Sequence, residues 1–346
     1  MIIGVGLDGR LGLNLAELDE MGRTAAELGF ESIWTPAGGV PDSFHICGQW
    51  GEGSADVVGD SIRTGISVVP APRTWNPVSL AVQAATTSLR CDGNFVLGIG
   101  TGGAGPEHFA AAGFPNRPIA VMRDYLLVLK DLLAGESVNY EGPALKVHAG
   151  SIGQDFSPVP VYLAALGPQM LRLAGEAANG VCLNWASPEQ IAVNRAEIAT
   201  GATAAGRDPE DVLLSMYIRI CVDNDVAAAR HALATQVLGY AMARPGADPA
   251  LAYRGHFGRM GFDDELRNLE ARRDAGTPIS ELADATSDEM LLAVGYFGAP
   301  KGAAGAYAKL SVGLDETIVR IITARPGMEA VVETMEALTP GLIRAS

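Results

Sequence analysis

Strand patterns and helix patterns alternate along this chain, and this alternation constrains the fold more than any other feature. Short apolar runs end at glycine, proline or asparagine, and segments with apolar residues at helical spacing follow them. Eight strands are predicted, at residues 2–6, 32–34, 64–69, 94–99, the run that begins at 160, 181–184, 212–222 and 317–322. Strands that are each followed by a helix favour an α/β fold of the (β/α)8 TIM-barrel type, with functional loops at the carboxyl ends of the strands.

The rival architecture is a doubly wound open sheet, which usually carries a Gly-x-Gly-x-x-Gly turn after its first strand. Gly4, Gly6, Gly9 and Gly12 do not have that spacing, so the barrel is favoured. A barrel needs only about 250 residues, whereas this chain has 346. We therefore predict a single domain, residues 1–346, with a hairpin insertion at about 137–150 and a mostly helical insertion at about 245–286.

The turn after the fifth predicted strand is a candidate anion site. The apolar run that begins at Pro160 ends at Gly167-Pro168, and helical spacing begins at once. Proline suits the first helical position because its missing N–H would be unpaired there. The backbone N–H groups of Leu166 and Gly167 and the helix N-terminus can then bind an anion such as phosphate, and a side chain at position 167 would obstruct it. The alternative is a plain tight connection between strand and helix.

Glycines also cluster at the fourth predicted strand, in the run 98–103. Glycine inside a strand indicates close approach of another group, which we expect to be flat or anionic; the alternative is a flexible loop. The residues 67–72 after the third strand, this glycine run and the turn at 166–167 would meet at one end of a barrel. The sequence therefore predicts a shared cavity there.

Composition and charge exclude several classes of protein. The formal net charge is −15, and no run of Lys or Arg exceeds the pair Arg272-Arg273, so neither nucleic acid nor an anionic membrane is expected as a partner. No apolar stretch approaches the roughly 20 residues of a membrane span, and the first residues do not have a signal-peptide pattern. The four cysteines form no CxxC or Cys/His spacing, so no metal site is expected. We expect a cytoplasmic protein that acts on a small molecule.

The order and spacing of several motifs resemble those of a known family. The chain resembles the luciferase-like flavin and deazaflavin oxidoreductase superfamily, in particular its coenzyme F420-dependent branch, which includes methylenetetrahydromethanopterin reductase and the F420-dependent glucose-6-phosphate dehydrogenases. The matching segments are 64–69 with Trp75-Asn76-Pro77, 95–102, Arg117-Pro118 with 123–126, 133–136 and 164–168.

The resemblance implies a (β/α)8 barrel that is usually a homodimer and that binds coenzyme F420, with FMN as the alternative cofactor. It implies a bulge with a non-prolyl cis peptide at Ser67-Val68, behind the cofactor ring, and a cofactor phosphate at the Leu166-Gly167 turn. Asn184, at the end of the sixth strand, would border the cofactor tail or pack in the core. The candidate cofactor-binding residues are Ser67, Val68, Gly102, Gly103, Ala165, Leu166, Gly167 and Asn184.

The chain departs from its sugar-phosphate relatives at their acidic and basic positions. Those enzymes carry Asp-His after strand two and Glu after the Gly-Thr-Gly motif, where this chain has Thr35-Pro36 and Gly103. Their lysine near the end of strand six is replaced by the segment 187–189. A sugar-phosphate substrate is therefore not expected.

Two histidines are predicted as proton donors. His45 lies in the Gly/Pro-rich segment after strand two, and His108 follows the glycines of strand four. A loop histidine can act as an acid near neutral pH; the alternative for each is a solvated surface side chain. We expect His148, His231 and His256 to be structural or exposed.

Together these features predict an F420-dependent oxidoreductase that transfers a hydride between the deazaflavin and a small organic substrate. The first alternative is an FMN-dependent monooxygenase that uses O2. The second is a non-catalytic flavin-binding homologue.

Overall fold

The chain folds around a closed parallel barrel. The computed structural model describes residues 1–102 and 106–346, with the backbone alone for residues 106–108. The strands in these residues are β1 (Ile2–Gly6), β2 (Ser32–Thr35), β3 (Arg63–Pro70), β4 (Phe95–Gly100), β5 (Val138–Glu141), β6 (Lys146–Ala149), β7 (Val161–Ala164), β8 (Gly180–Asn184), β9 (Leu213–Val222), β10 (Gly295–Gly298) and β11 (Glu316–Ile322).

Barrel closure follows from the strand pairing. The order is β11-β1-β2-β3-β4-β7-β8, and β9 closes the ring because it pairs with both β8 and β11. The pairs in this ring are all parallel. The eight predicted strands are therefore present, and the predicted (β/α)8 barrel is confirmed.

Helices cover the outside of the barrel. They are α1 (Leu15–Glu27), α2 (Ser43–Val58), α3 (Ala71–Thr74), α4 (Pro77–Arg90), α5 (Pro106–Ala111), α6 (Pro118–Leu133), α7 (Pro168–Ala177), α8 (Pro188–Ala204), α9 (Val226–Ala241), α10 (Ala252–Phe257), α11 (Asp263–Asp274), α12 (Ile279–Ala285), α13 (Asp288–Val294), α14 (Pro300–Leu310), α15 (Met328–Glu336) and α16 (Pro340–Arg344), with a π-helical turn, Gly258–Phe262, between α10 and α11. The capping box expected at α1 is present, since Asn14 and Glu17 bond to each other's backbone N–H.

The two segments outside the barrel pattern have different structures. Strands β5 and β6 form a two-stranded antiparallel hairpin. The segment after α9 contains α10, the π-helical turn, α11 and α12, and its apolar side chains pack with α9 and Trp185 in a second cluster beside the main core.

Helix α2 and strand β10 were not predicted from the sequence. The segment after strand two that contains His45 was interpreted as a Gly/Pro-rich loop, but residues 43–58 form α2, whose first turn is capped by the Asp42 carboxylate. Its glycines, which disfavour helix, are needed for packing: a Cβ on Gly48 would lie 2.4 Å from Arg90, and one on Gly51 would lie 2.7 Å from Cys91. Strand β10 was also missed; it pairs with the end of β9, beyond the part of β9 that pairs with β8.

The barrel interior is filled in layers. At the amino-terminal end, the buried carboxylate of Glu316 accepts hydrogen bonds from Ser32 Oγ (2.6 Å) and Trp34 Nε1 (2.8 Å) and pairs with Arg63 (3.2 Å). Above it, an apolar layer contains the rings of Trp34, Tyr162 and Tyr217. These layers close the barrel from below, so only the carboxyl-end layer can take part in a site.

Candidate active site at the carboxyl end of the barrel

Strand β3 bulges at the position implied by the family resemblance. The Ser67-Val68 peptide is cis, and the pairing with β4 shifts between Ile66 and Val69. A Cβ on Gly98 would lie 2.3 Å from the Ile66 carbonyl oxygen and 3.1 Å from Val68, and one on Gly100 would lie 2.9 Å from Val68. The strand-four glycines therefore make room for the neighbouring strand, which corrects our expectation that a flat or anionic ligand approaches them there.

The glycines after β4 are described only in part. Gly102 has a positive φ of 75°, and a Cβ there would lie 2.5 Å from Pro70. Gly102 therefore fits closely over the end of β3, in a conformation that favours glycine. Gly103 lies outside the described residues. The roles of both residues toward a cofactor remain predictions.

The turn between β7 and α7, which follows the fifth predicted strand, is open beside Gly167. Gly167 is the N-cap of α7, whose first residue is Pro168, and no described side chain caps this helix. A Cβ built on Gly167 would meet no atom of the described residues within 4 Å. Ala165, just before the turn, is buried. Among the described residues the space beside Gly167 is thus open, which leaves room for an anion at the helix N-terminus.

An arginine from the insertion reaches the same turn. Arg259, in the π-helical turn, donates a hydrogen bond from Nη2 to the Leu166 carbonyl oxygen at 3.1 Å. Burial lowers the pKa of its guanidinium, which stays protonated at neutral pH because an arginine starts from a very high pKa. A groove of about 550 Å³, lined in part by Arg117 and Gln169, adjoins the turn. The turn therefore combines a helix N-terminus with a positive side chain.

Asn184 holds a buried arginine. At the end of β8, its side-chain oxygen accepts a hydrogen bond from Arg219, and its Nδ2 donates to the Tyr253 hydroxyl at 2.7 Å. The next residue, Trp185, is fully buried and has a positive φ of 57°. Its ring lies 3.8 Å from the Arg219 guanidinium. Both functional groups of Asn184 are thus engaged within the protein, and Trp185 takes the packing role.

Sequence reasoning missed the charged layer at this end of the barrel. Arg219 on β9 and Arg320 on β11 are direct neighbours across the strand pair, and both are buried. The Arg320 Nε donates to Asp8 at 3.0 Å, and its guanidinium lies 4.4 Å from the Tyr217 ring. The available signal was an arginine inside each of two long apolar strands, 213–222 and 316–322. A charged residue is almost never fully buried unless it is paired or functional.

The electrostatics of this layer are unbalanced. Burial, and then the nearby Arg320, lower the pKa of Arg219 to about 10, so it stays charged at neutral pH. The Asp8 pKa is lowered because Arg320 and the Arg10 backbone N–H outweigh the effect of burial. Arg219 Nε and Arg320 Nη1 have no partner among the described residues.

The two predicted proton donors lie in different helices, and the structure describes the side chain of His45 alone. His45 lies in the first turn of α2 rather than in a loop, and its side chain is exposed. The hydrogen bond from Arg90, and to a smaller extent the nearby His45, lower the pKa of Glu52, two turns further along the helix. Glu52 in turn pairs with Arg90 on α4. His108 belongs to α5, and its side chain lies outside the described residues.

The other histidines are engaged elsewhere. His256 is fully buried, and its Nε2 donates to the Trp185 carbonyl oxygen at 2.8 Å. Burial lowers its pKa to about 4. His148 and His231 are exposed and lie beside carboxylates.

The described residues contain neither a candidate membrane span nor a candidate metal cluster. No helix there is long and apolar enough to cross a membrane. No group of three or more His, Cys, Asp or Glu is placed there to hold a metal ion.

Comparison with known proteins identifies the family. Residues 3–312 match the family described as luciferase-like monooxygenase. The 5,10-methylenetetrahydromethanopterin reductase of Methanolobus tindarius is 29% identical over 286 residues, which cover 76% of this chain and 85% of that protein. The F420-dependent glucose-6-phosphate dehydrogenase of Microbacterium testaceum is 29% identical over 227 residues, 61% of this chain and 66% of that protein.

The fold comparison agrees. The structure of the coenzyme F420 dependent tetrahydromethanopterin reductase from Methanopyrus kandleri superposes with a TM-score of 0.76, at 22% identity, over 99% of this chain and all of that one. At this identity the likeness concerns the fold alone. Taken with the match over residues 3–312, it shows that the chain belongs to the luciferase-like monooxygenase family.

Proposed function

We propose that this protein is an oxidoreductase that binds coenzyme F420 and transfers a hydride between the deazaflavin and a small organic substrate. The observation that carries the proposal is the combination, at one end of the barrel, of the β3 bulge at Ser67-Val68 with the open Leu166-Gly167 turn. Support also comes from similarity to a dehydrogenase named as F420-dependent.

The residues at the barrel mouth fit a flat ring joined to a phosphate. Val68 lies over the side-chain-free backbone of Gly98 and Gly100, which gives an apolar surface against which a ring could pack. The phosphate would lie at Gly167, where a Cβ meets no atom of the described residues within 4 Å and the first N–H groups of α7 have no side-chain cap among them. Arg259 adds a positive charge beside that turn.

In this proposal each candidate cofactor residue has a part. Ser67 and Val68 support the ring, and Ala165, Leu166 and Gly167 form the phosphate turn. Gly102 and Gly103 would lie beside the ring, and Asn184 would act through the position of Arg219.

The division of chemistry is simple. The bound deazaflavin supplies the hydride chemistry, whereas the protein holds the reactants in place and keeps water out. Trp185 and the guanidinium of Arg219 form a fully buried wall for this purpose. His45 and His108 are the proposed sources of a proton.

The description of the matching family as monooxygenases favours one second candidate, an FMN-dependent enzyme that uses O2. An anaerobic assay with reduced F420 and a panel of small ketones, imines, enones and nitro compounds, and with oxidised F420 and the corresponding alcohols and amines, separates the candidates. We expect a change in F420 absorbance without O2 and no turnover with FMN. Turnover that needs both FMN and O2 would establish the monooxygenase instead, and cofactor binding with no turnover at all would leave the non-catalytic homologue.

We further propose that the protein is a homodimer with one folding domain per chain. Light scattering gives the mass of the particle, and calorimetry should give a single cooperative transition. A monomeric mass, or two resolved transitions, would contradict these proposals.

A further inference from the structure

The carboxyl-end layer of the barrel holds more positive than negative charge. Arg219 and Arg320 occupy neighbouring positions on β9 and β11, with 1% and 5% of their surfaces exposed. Asp8 is the one carboxylate that the described residues place in bonding contact with either guanidinium. Two positive groups against one negative group leave one positive charge uncompensated.

The nearby tyrosines do not supply the missing negative charge. Tyr217 lies under Arg320, and Tyr240 and Tyr253 lie near Arg219. Burial raises the pKa values of Tyr217 and Tyr253, so both hydroxyls are protonated at neutral pH. The rings of Tyr217 and Tyr240 stabilise the guanidinium groups by cation–π contact, but they do not neutralise them.

Two guanidinium nitrogens are also left without acceptors. Arg320 bonds to Asp8 through Nε, and Arg219 bonds to Asn184 through Nη1. Arg219 Nε and Arg320 Nη1 are buried and find no hydrogen-bond partner among the residues described. An unpaired polar group of a buried charge is strongly unfavourable, and in a native structure it calls for an explanation such as a catalytic role or a bound water or ion.

We propose that Arg219 and Arg320 form a binding subsite for a carboxylate group of the substrate. A monocarboxylate matches the single excess positive charge, and its two oxygens can accept from both unpaired nitrogens. That the carboxylate belongs to the substrate of a hydride transfer rests on the proposed function; the binding of a carboxylate to this pair does not.

Two tyrosines lie on the insertion side of this layer: Tyr253 on α10 is bonded to Asn184, and Tyr240 on α9 lies 5.2 Å from the Arg219 guanidinium. We expect these two side chains to shift when the carboxylate enters. Because Trp185 stacks on Arg219, binding should also change tryptophan fluorescence.

The test uses acetate and benzoate as probes on the protein without cofactor, with acetamide and benzamide as neutral counterparts. Calorimetric titration should show binding of at least one carboxylate and of neither amide. Arg219→Gln should weaken carboxylate binding by about tenfold or more, the usual effect of losing a charged hydrogen bond. Arg219→Lys, which keeps the charge but not the fork, should give an intermediate loss and remains informative if the glutamine variant fails to fold.

Matched controls separate this subsite from the other positive groups. Arg195→Gln removes an arginine from an ion pair with Asp315 near the opposite end of the barrel, and should leave carboxylate binding unchanged. The affinity for inorganic phosphate should fall in Arg259→Gln and stay unchanged in Arg219→Gln, because the proposed phosphate site is the turn at Leu166, beside Arg259.

Equal carboxylate affinity in the wild type and Arg219→Gln, or no carboxylate binding to the wild type, would overturn the proposal. A separate F420 titration keeps the two proposals distinguishable. Carboxylate binding without F420 binding would refute the proposed function alone, and F420 turnover without a carboxylate effect would refute the subsite alone.

Discussion

Replacing Gly167 with aspartate should change stability and cofactor binding in opposite directions. Gly167 is the N-cap of α7 with φ −101° and ψ 158°, an extended conformation that aspartate adopts without strain. A Cβ there would meet no atom of the residues that the structure describes within 4 Å. Aspartate is a favoured N-cap residue, and a negative charge at a helix N-terminus contributes about 0.3–1 kcal/mol. The free energy of unfolding should therefore stay the same or rise slightly.

The same carboxylate would oppose the cofactor phosphate. Two like charges about 4 Å apart repel by about 1 kcal/mol in water and about 4 kcal/mol at the effective dielectric constant of a partly buried site. Each 1.4 kcal/mol is about tenfold in affinity, so F420 binding should weaken by roughly five- to a thousandfold. The loss should shrink at high salt, because the turn is open to solvent.

Fluorescence titration with F420 measures this loss, and urea denaturation measures the stability. Gly167→Asn is the matched control, since it has nearly the same size without the charge, and its affinity should lie much nearer to that of the wild type. A well-folded Gly167→Asp variant with unchanged F420 affinity would show that the turn is only a connection between strand and helix.

Three further outcomes are expected. First, alanine at His45 or at His108 should lower kcat by at least about tenfold with little loss of cofactor affinity; if both variants turn over like the parent from about pH 6 to 8, the proton comes from water or substrate. Second, the folded state holds the pKa of His256 at about 4, below its ordinary 6.5. Between these two pH values the unfolded chain binds more protons than the folded one, so the free energy of unfolding falls as the pH is lowered from 6.5 to about 4. Urea denaturation should show up to about 3 kcal/mol of this loss, absent in His256→Gln and retained in the exposed-site control His231→Gln. Third, Gly98→Ala should destabilise the protein by about 1–3 kcal/mol through overpacking, because its Cβ would lie 2.3 Å from a backbone oxygen. The same change at Gly9, where no described atom lies within 4 Å, should have little effect. Equal stabilities of the two variants would refute the close approach of β3 and β4.

The barrel strands were predictable because parallel strands buried on both faces read as continuous apolar runs. The turn between β7 and α7 was predicted for a similar local reason, since Gly167-Pro168 marks both the end of the strand and the first helical position. Helix α2 was missed because its glycines disfavour helix in isolation, and their value lies in contacts with Arg90 and Cys91. Such contacts depend on tertiary structure and have no local signal.

The arginine layer could not be found from local patterns either. Arg219 and Arg320 are about a hundred residues apart in sequence, and only the pairing of β9 with β11 places them side by side. The bulge in β3 could not be predicted from local patterns either. The glycines of β4 indicated a close approach, but the groups that approach them are Val68 and the Ile66 carbonyl of the neighbouring strand. Strand order and register, which decide these contacts, are not readable from residue type and spacing alone.

The most direct test of this account is an equilibrium titration of the purified protein with F420 and with FMN, each in both redox states. We predict saturable F420 binding that is tighter than FMN binding and that is weakened by Gly167→Asp. Tight FMN that copurifies with the protein, together with no response to F420 in either redox state, would contradict the account.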